Sequence, residues 1–127
     1  MDERFDPDSG LVLVRVRLFG PTGRALITMA LDTGATRTMI NVAHLVAVGY
    51  DPSLVSERVQ VTTGSGVEFS PLVTVHRIAA LKHDRRDVPV LAHTLPPTAG
   101  VDGLLGLDFL RGYSLSIDFR QGQLSLL

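Results

Sequence analysis

The tripeptide Asp32-Thr33-Gly34 combines residue types and spacing that could do chemistry. It directly follows the apolar run 25–31, and a carboxylate at the end of an apolar strand costs free energy unless it is paired or hydrogen-bonded. Thr33 adds a hydroxyl, and Gly34 lets another backbone approach closely. The same residues also fit a simple Asx turn, but the apolar strands on both sides favour a functional acid.

A second segment, 101–110, is rich in glycine and leucine. Taken alone, it predicts a short helix that Asp102 caps and that runs through Leu110. Its two glycines, Gly103 and Gly106, indicate close packing against a neighbouring element. By itself this segment indicates a core element rather than a site.

In this order along the chain, the two segments resemble the retropepsin-type aspartic proteases. The resemblance rests on Leu31-Asp32-Thr33-Gly34-Ala35-Thr36, on a later hairpin that contains Gly64-Ser65-Gly66, and on Leu104-Leu105-Gly106. The region 103–119 is closer still to the retropepsin-like domain of the cellular DNA-damage-inducible Ddi proteins and to bacterial relatives. The resemblance covers residues 11–127. It implies an all-β fold, a retropepsin-like acid-protease half-barrel with a flap hairpin and one or two short helices.

The resemblance also implies roles for individual residues. Asp32 would be the catalytic aspartate, and Gly34 would accept the close approach of the substrate backbone. The Thr33 hydroxyl would tie two active-site loops together across a dimer. The segment 104–106 would be the element threaded by the loop that carries Asp32.

Six further positions would bind substrate on the same grounds. The resemblance implies that three line the pockets beside the scissile bond and that three form the tip of a flap over the bound peptide. The pocket residues are Ala35, Met39 and Leu104, and the flap residues are Gly64, Ser65 and Gly66.

Two positions depart from the viral members of this family. Those proteins usually pair an acidic residue with an arginine, where this chain has Thr36 and Leu107. Because both charged partners are absent, neither is left buried and unpaired. Arg37 lies next to the expected groove, where it either biases specificity or faces solvent.

The chemistry of an aspartic protease needs two carboxylates about 3 Å apart that share one proton. This chain has one Asp-Thr-Gly, and Asp102, Asp108 and Asp118 are not followed by Thr-Gly or Ser-Gly. A C2 homodimer in which Asp32 meets its symmetry mate is the economical solution. The sequence therefore predicts a homodimeric aspartic endopeptidase that hydrolyses peptide bonds with a dyad-activated water and no cofactor.

A second hypothesis remains open, namely a non-catalytic peptide-binding or dimerisation module with the same fold.

Other enzyme classes fit the sequence less well. The four histidines lack the spacing of a helical zinc pair, and no Gly-x-Ser-x-Gly elbow is present. The absence of cysteine excludes a thiolate nucleophile, a disulfide and cysteine-ligated zinc.

Hydrophobic periodicity predicts mostly strands, in three hairpins over 11–31, 58–78 and 113–127, with a further short strand over 88–92. A short helix over 42–48 follows Asn41 as its cap. Residues 1–9 are predicted to be a flexible leader, and 10–127 a single domain. The mixed charges of 82–87 are expected on a solvated turn.

Composition narrows the class of partner. Of the 127 residues, 45% are hydrophobic, which is enough for a folded core, and the net charge is -1. That balance argues against a broad nucleic-acid surface or a polybasic membrane patch. No apolar run is long enough to span a bilayer, and the first residues do not resemble a signal peptide. We therefore expect a cytoplasmic protein without a membrane span.

Overall fold

The computed structural model describes residues 3–127, apart from the side chain of Thr63. These residues form strands and two short α-helices. The strands are β1 (Glu3–Arg4), β2 (Leu13–Gly20), β3 (Gly23–Leu31), β4 (Met39–Ile40), β5 (Arg58–Thr63), β6 (Gly66–Ala80), β7 (His83–Ala92), β8 (Gly103–Leu105), β9 (Leu115–Asp118) and β10 (Gln123–Leu126), and the helices are α1 (Val42–Ala47) and α2 (Leu107–Leu110). Within the described part of the chain, no helix is long and apolar enough to cross a membrane.

Six strands close into a barrel around the hydrophobic core. They are hydrogen-bonded in the order β2-β3-β8-β4-β7-β6, and an additional pairing between β2 and β6 closes the ring. β5 pairs only with the first part of β6 and extends from the barrel as a hairpin. The core side of β2 carries Val14, Val16 and Leu18, which are almost fully buried, as its alternating sequence predicts.

The predicted hairpins and the first helix are present. The strands β2 and β3 pair along their whole length from Leu13–Ala30 to Gly20–Gly23. The Asn41 side chain caps α1 by accepting a hydrogen bond from the backbone nitrogen of Ala43 at 3.2 Å. All-β architecture with few short helices is therefore confirmed.

A second, three-stranded sheet has the order β1-β10-β9. The last strand therefore completes the chain's own sheet. Glu3 and Arg4, predicted to lie in a flexible leader, instead pair with β10. Phe5 is 9% exposed, packs in the core, and donates its backbone N–H to the carbonyl of Gly122 at 2.8 Å. The free energy gained by burying the apolar side chain of Phe5 is enough to hold this otherwise polar segment against the domain.

The helix predicted over 102–110 is wrong in its first half. Residues 103–105 form β8, which pairs in parallel with β3 and antiparallel with β4, and the helix begins only at Leu107. Asp102 does not cap it, because its Oδ2 accepts the backbone N–H of Thr28 at 2.8 Å. Partner strands distant in sequence override the local helix signal.

The charged segment 82–87 also differs from the predicted turn. Only Leu81 and Lys82 turn, both with positive φ, and β7 starts at His83. Arg85 is half-buried and donates to the carbonyl of Phe109 at 3.1 Å through Nη2. Pairing with β6 thus draws most of this segment into the barrel wall.

Candidate active site

The loop that carries Asp32 is held by β8. β3 ends at Leu31 beside Leu105, and the backbone N–H of Asp32 continues the ladder by donating to the Leu105 carbonyl at 3.0 Å. Further along, the carbonyl of Ala35 accepts the N–H of Leu107 at 2.8 Å. The loop therefore passes around the end of β8, the arrangement expected for the element 104–106.

The close approach at this point depends on Gly106. A Cβ added there would lie 2.7 Å from the carbonyl oxygen of Ala35 and 2.8 Å from the backbone carbon of Arg37. Real Cβ atoms do not approach backbone so closely, because the two would overlap. Glycine at 106 thus lets the Asp32 loop lie directly against the chain.

Asp32 is half-buried. Its Oδ1 accepts the backbone N–H of Gly34 at 2.8 Å, and the N–H of Ala35 donates to its carbonyl at 3.2 Å. An Asx turn is therefore present, and it fixes the orientation of the carboxylate. The other oxygen, Oδ2, makes no hydrogen bond to any of residues 3–127.

Thr33 and Gly34 lie at the surface of the single chain. Within the described residues, the Thr33 hydroxyl has no hydrogen-bond partner. A Cβ at Gly34 would lie 3.2 Å from Oδ1 of Asp32, so a larger residue would crowd the carboxylate. The tip of the loop is thus exposed and its hydroxyl is available to a second molecule.

A buried polar pair, which the sequence reasoning missed, supports the loop from below. The Thr38 side chain is fully buried and donates its hydroxyl proton to Oδ1 of Asp108 at 2.6 Å. The same hydroxyl accepts the N–H of Gly106 at 3.1 Å, and Oδ2 of Asp108 accepts the N–H of Thr38 at 2.9 Å. The sequence did contain a signal for this pair, because Asp108 stands between the apolar residues of 107–110. A carboxylate in such surroundings, like that of Asp32, costs free energy unless it has a hydrogen-bond partner.

An apolar cavity of about 390 Å³ opens beside Asp32. Its walls come from β3, β8, the segment before β2 and the irregular segment after β7. The lining residues are Leu11, Ala30, Leu31, Asp32, Leu95, Ala99, Val101 and Leu104. The cavity therefore presents a carboxylate at the edge of a space suited to an apolar side chain.

The other predicted pocket residues lie elsewhere on the loop and strand. Leu104 lines the cavity with Asp32, but Ala35 and Met39 are not among its lining residues. Ala35 contacts α2 through its carbonyl, and Met39 pairs with Leu104 and Leu91 in β4. Their contact with substrate stays a prediction.

The β5–β6 hairpin carries the predicted Gly64, Ser65 and Gly66 at its tip, and all three are exposed. Its base is attached to the segment after β7. The Ser70 hydroxyl lies 3.3 Å from Nδ1 of His93, and a carboxylate oxygen of Glu68 lies 3.8 Å from the same nitrogen. The hairpin is thus held at its base, while its tip is exposed.

The other acids near β8 and in the last hairpin have structural partners. Asp102 binds the Thr28 N–H and lies 2.9 Å from Nε2 of His44, whereas Asp108 binds Thr38. Oδ1 of Asp118 accepts the N–H groups of its own turn, including that of Arg120 at 2.9 Å. None of these three acids lines the Asp32 cavity.

Among residues 3–127, no cluster of three or more His, Cys, Asp or Glu could hold a metal ion.

Thr36 and Leu107 are the two positions that depart from the viral pattern. Thr36 and Arg37 are exposed, and Leu107 is half-buried at the start of α2. The Thr38–Asp108 pair, not an ion pair, connects the loop to α2 here.

Comparisons with known proteins agree with this geometry. Residues 22–112 match the model of a family described as "gag-polyprotein putative aspartyl protease". In structure, the chain is similar to a retropepsin-like aspartic protease from Rickettsia conorii, with a TM-score of 0.73 and 16% sequence identity over 99% of this chain and 88% of that one. That likeness establishes the retropepsin-like fold. No curated protein matches the chain in sequence. Because the family model covers well over half of the chain, including the Asp32 loop and β8, the protein belongs to the gag-type aspartyl protease family.

Proposed function

We propose that the chain is an aspartic endopeptidase that acts as a homodimer. The observation that carries this proposal is the position of Asp32, with one free carboxylate oxygen beside an apolar cavity that no second acid among residues 3–127 lines. A lone carboxylate has no partner with which to share a proton, and a symmetry mate supplies one.

The mechanism follows from that pairing. Two carboxylates in contact share one proton, so one is ionised and the other neutral. The ionised Asp32 takes a proton from a water molecule, whose oxygen bonds to the amide carbon, while the neutral partner donates its proton to the carbonyl oxygen. The resulting tetrahedral diol collapses when the now protonated Asp32 donates that proton to the amide nitrogen and the C–N bond breaks, while the partner carboxylate takes a hydroxyl proton back. The dimer contact itself is formed by the exposed loop tip, where the Thr33 hydroxyl of each chain reaches the other chain's loop.

The substrate class follows from the cavity and the hairpin. The lining is aliphatic apart from Asp32, which favours a polypeptide with an apolar side chain next to the cleaved bond. The β5–β6 hairpin serves as the flap, with Gly64, Ser65 and Gly66 at its tip over the bound peptide. The bases of both flaps keep their contacts to His93 as the tips close.

The test is cleavage of a library of apolar peptides by the purified chain and by Asp32→Asn. The variant keeps the shape of the side chain but cannot share a proton, so we expect activity to fall by at least about a thousandfold. Asp8→Asn, an exposed change of the same chemistry, is the matched control and should leave activity unchanged. Equal activity of Asp32→Asn and the control would exclude the mechanism.

Two outcomes separate the peptidase from the non-catalytic module. A proton-sharing pair predicts a bell-shaped dependence of kcat/KM on pH, whereas a flat profile contradicts it. Binding of the peptides without cleavage, by both the parent chain and Asp32→Asn, would instead identify a peptide-binding module with this fold.

A further inference from the structure

The outer face of one wall of the barrel is rich in arginine, and none of these arginines lines the Asp32 cavity. Side chains directly opposite each other on paired strands point to the same side of a sheet. On the outer side of β2, Arg17 is opposite Leu26 and Ala79, and Phe19 is opposite Arg24 and Arg77. The register extends this face to five arginines on four neighbouring strands: Arg15, Arg17, Arg24, Arg77 and Arg86. We call it the arginine face.

Negative charge is in the minority on the arginine face. Asp84 is the acid that the register places among the arginines, and its Oδ1 is 2.8 Å from Nε of Arg77. That hydrogen bond, with the charges of Arg77 and Arg86 nearby, lowers the pKa of Asp84. Glu3 lies at the border, where burial raises its pKa. Five guanidinium groups therefore face two carboxylates, one of which is already paired.

The arginine face is concave rather than flat. Two adjoining hollows of about 380 and 330 Å³ lie on it, and both are lined by Arg17 and Leu26. The Leu26 side chain is 58% exposed between the arginines. A hollow with guanidinium groups around an apolar side chain offers both charge and contact area to a ligand.

The spacing of these groups matches an extended polypeptide. Arg15 and Arg17 are two residues apart on one strand, so their side chains are about 7 Å apart. Alternate side chains of an extended peptide have the same spacing. The planar guanidinium group binds a carboxylate through two parallel hydrogen bonds. Leu26 would then contact an apolar side chain of the same ligand.

Nucleic acid fits the arginine face less well. Single strands bind where bases stack on open aromatic rings, but the ring of Phe19 is covered by the Arg77 guanidinium group at 4.5 Å from its centroid. We propose that the arginine face binds acidic, extended polypeptide segments, with Arg15 and Arg17 as the principal contacts.

The test is fluorescence anisotropy of a labelled peptide with glutamate at alternate positions and alanine between them. The protein is the full chain carrying Asp32→Asn, so that cleavage does not interfere, and the measurement needs no peptidase activity. We expect binding that the same peptide with glutamine does not show. In that background, Arg15→Gln with Arg17→Gln should weaken binding by about tenfold or more, because each removes a charge-assisted pair.

The matched control is Arg111→Gln with Arg120→Gln, which removes the same charge from exposed positions elsewhere. It should change the dissociation constant less than twofold. Arg24→Gln with Arg86→Gln is a second variant of the arginine face, should the first one unfold, and is expected to weaken binding too. Equal losses in the control and the face variants would overturn the proposal. So would tighter binding of a thymidylate oligonucleotide through the same arginines, or no binding of the acidic peptide.

Discussion

The Thr38 hydroxyl donates to Oδ1 of Asp108 at 2.6 Å and accepts the N–H of Gly106 at 3.1 Å. With these two bonds a fully buried side chain connects the end of the Asp32 loop, directly before β4, to the element that the loop passes around. The position of the candidate acid therefore depends on a polar contact between residues far apart in the sequence.

Thr38→Val should destabilise the fold. The substitution keeps the shape of the side chain but removes one hydrogen-bond donor from Oδ1 of Asp108 and leaves the buried Gly106 N–H without its acceptor, which costs about 1–3 kcal/mol. Urea unfolding measures the change in the free energy of unfolding. Thr36→Val, at an exposed position of the same loop, should stay within about 0.5 kcal/mol of the parent. Similar values for both variants would show that the buried pair does not support the loop.

Gly106→Ala should displace the Asp32 loop. The new Cβ would lie 2.7 Å from the Ala35 carbonyl oxygen, and moving backbone to make room costs about 1–3 kcal/mol. We expect a lower midpoint of urea unfolding together with a loss of peptidase activity. Gly23→Ala, where a Cβ meets nothing within 4 Å, is the control. If Gly106→Ala matched it in both measurements, the close packing would have no structural role.

Thr33→Val should weaken the dimer without harming the folded chain. The hydroxyl is exposed and makes no hydrogen bond within the described residues, so its loss affects only a contact with a second molecule. Sedimentation velocity over a range of concentrations should show the dissociation constant rise by about tenfold or more, because the variant dimer loses two symmetry-related hydrogen bonds that together contribute about 1.4 kcal/mol or more. The midpoint of urea unfolding, measured on the dissociated chain, should not move. An unchanged dissociation constant would contradict the proposed role of Thr33.

Glu3→Gln should stabilise the protein at neutral pH. Burial raises the pKa of Glu3, while Lys82 and Arg15 act in the opposite direction, and among the described residues its buried Oε2 has no hydrogen-bond partner. A carboxyl whose pKa is higher in the folded state favours folding at acid pH, and the penalty appears as the pH rises through that pKa.

The expected gain at neutral pH is less than about 1 kcal/mol, because the group is only partly buried. It should disappear when urea unfolding is repeated below the usual pKa range of a carboxyl group. The exposed Glu57→Gln is the control and should show no such pH dependence. A gain that persisted in acid would assign the effect to packing instead of charge.

Local patterns were sufficient for much of the fold. The hairpins of β2–β3 and β5–β6 and the Asn41 cap follow from alternation, turn residues and capping chemistry within a few positions. The Asp32 loop was also visible, because a carboxylate after an apolar strand is unusual enough to mark a site. The retropepsin-like fold was implied by the family resemblance of 31–36, 64–66 and 104–106, and it is confirmed by the fold comparison.

Three features were decided by the tertiary structure alone, because the residues that pair or pack with one another in them lie far apart along the chain. Residues 103–105 are a strand and not a helix since β3 and β4 offer hydrogen bonds on both sides. Phe5 joins the core only because the last hairpin folds back to meet it. The arginine face arises from the register of four strands, so arginines scattered through a chain of nearly neutral net charge gather on one surface. No local pattern encodes which residues become neighbours across a sheet, and that choice is made by the packing of the barrel.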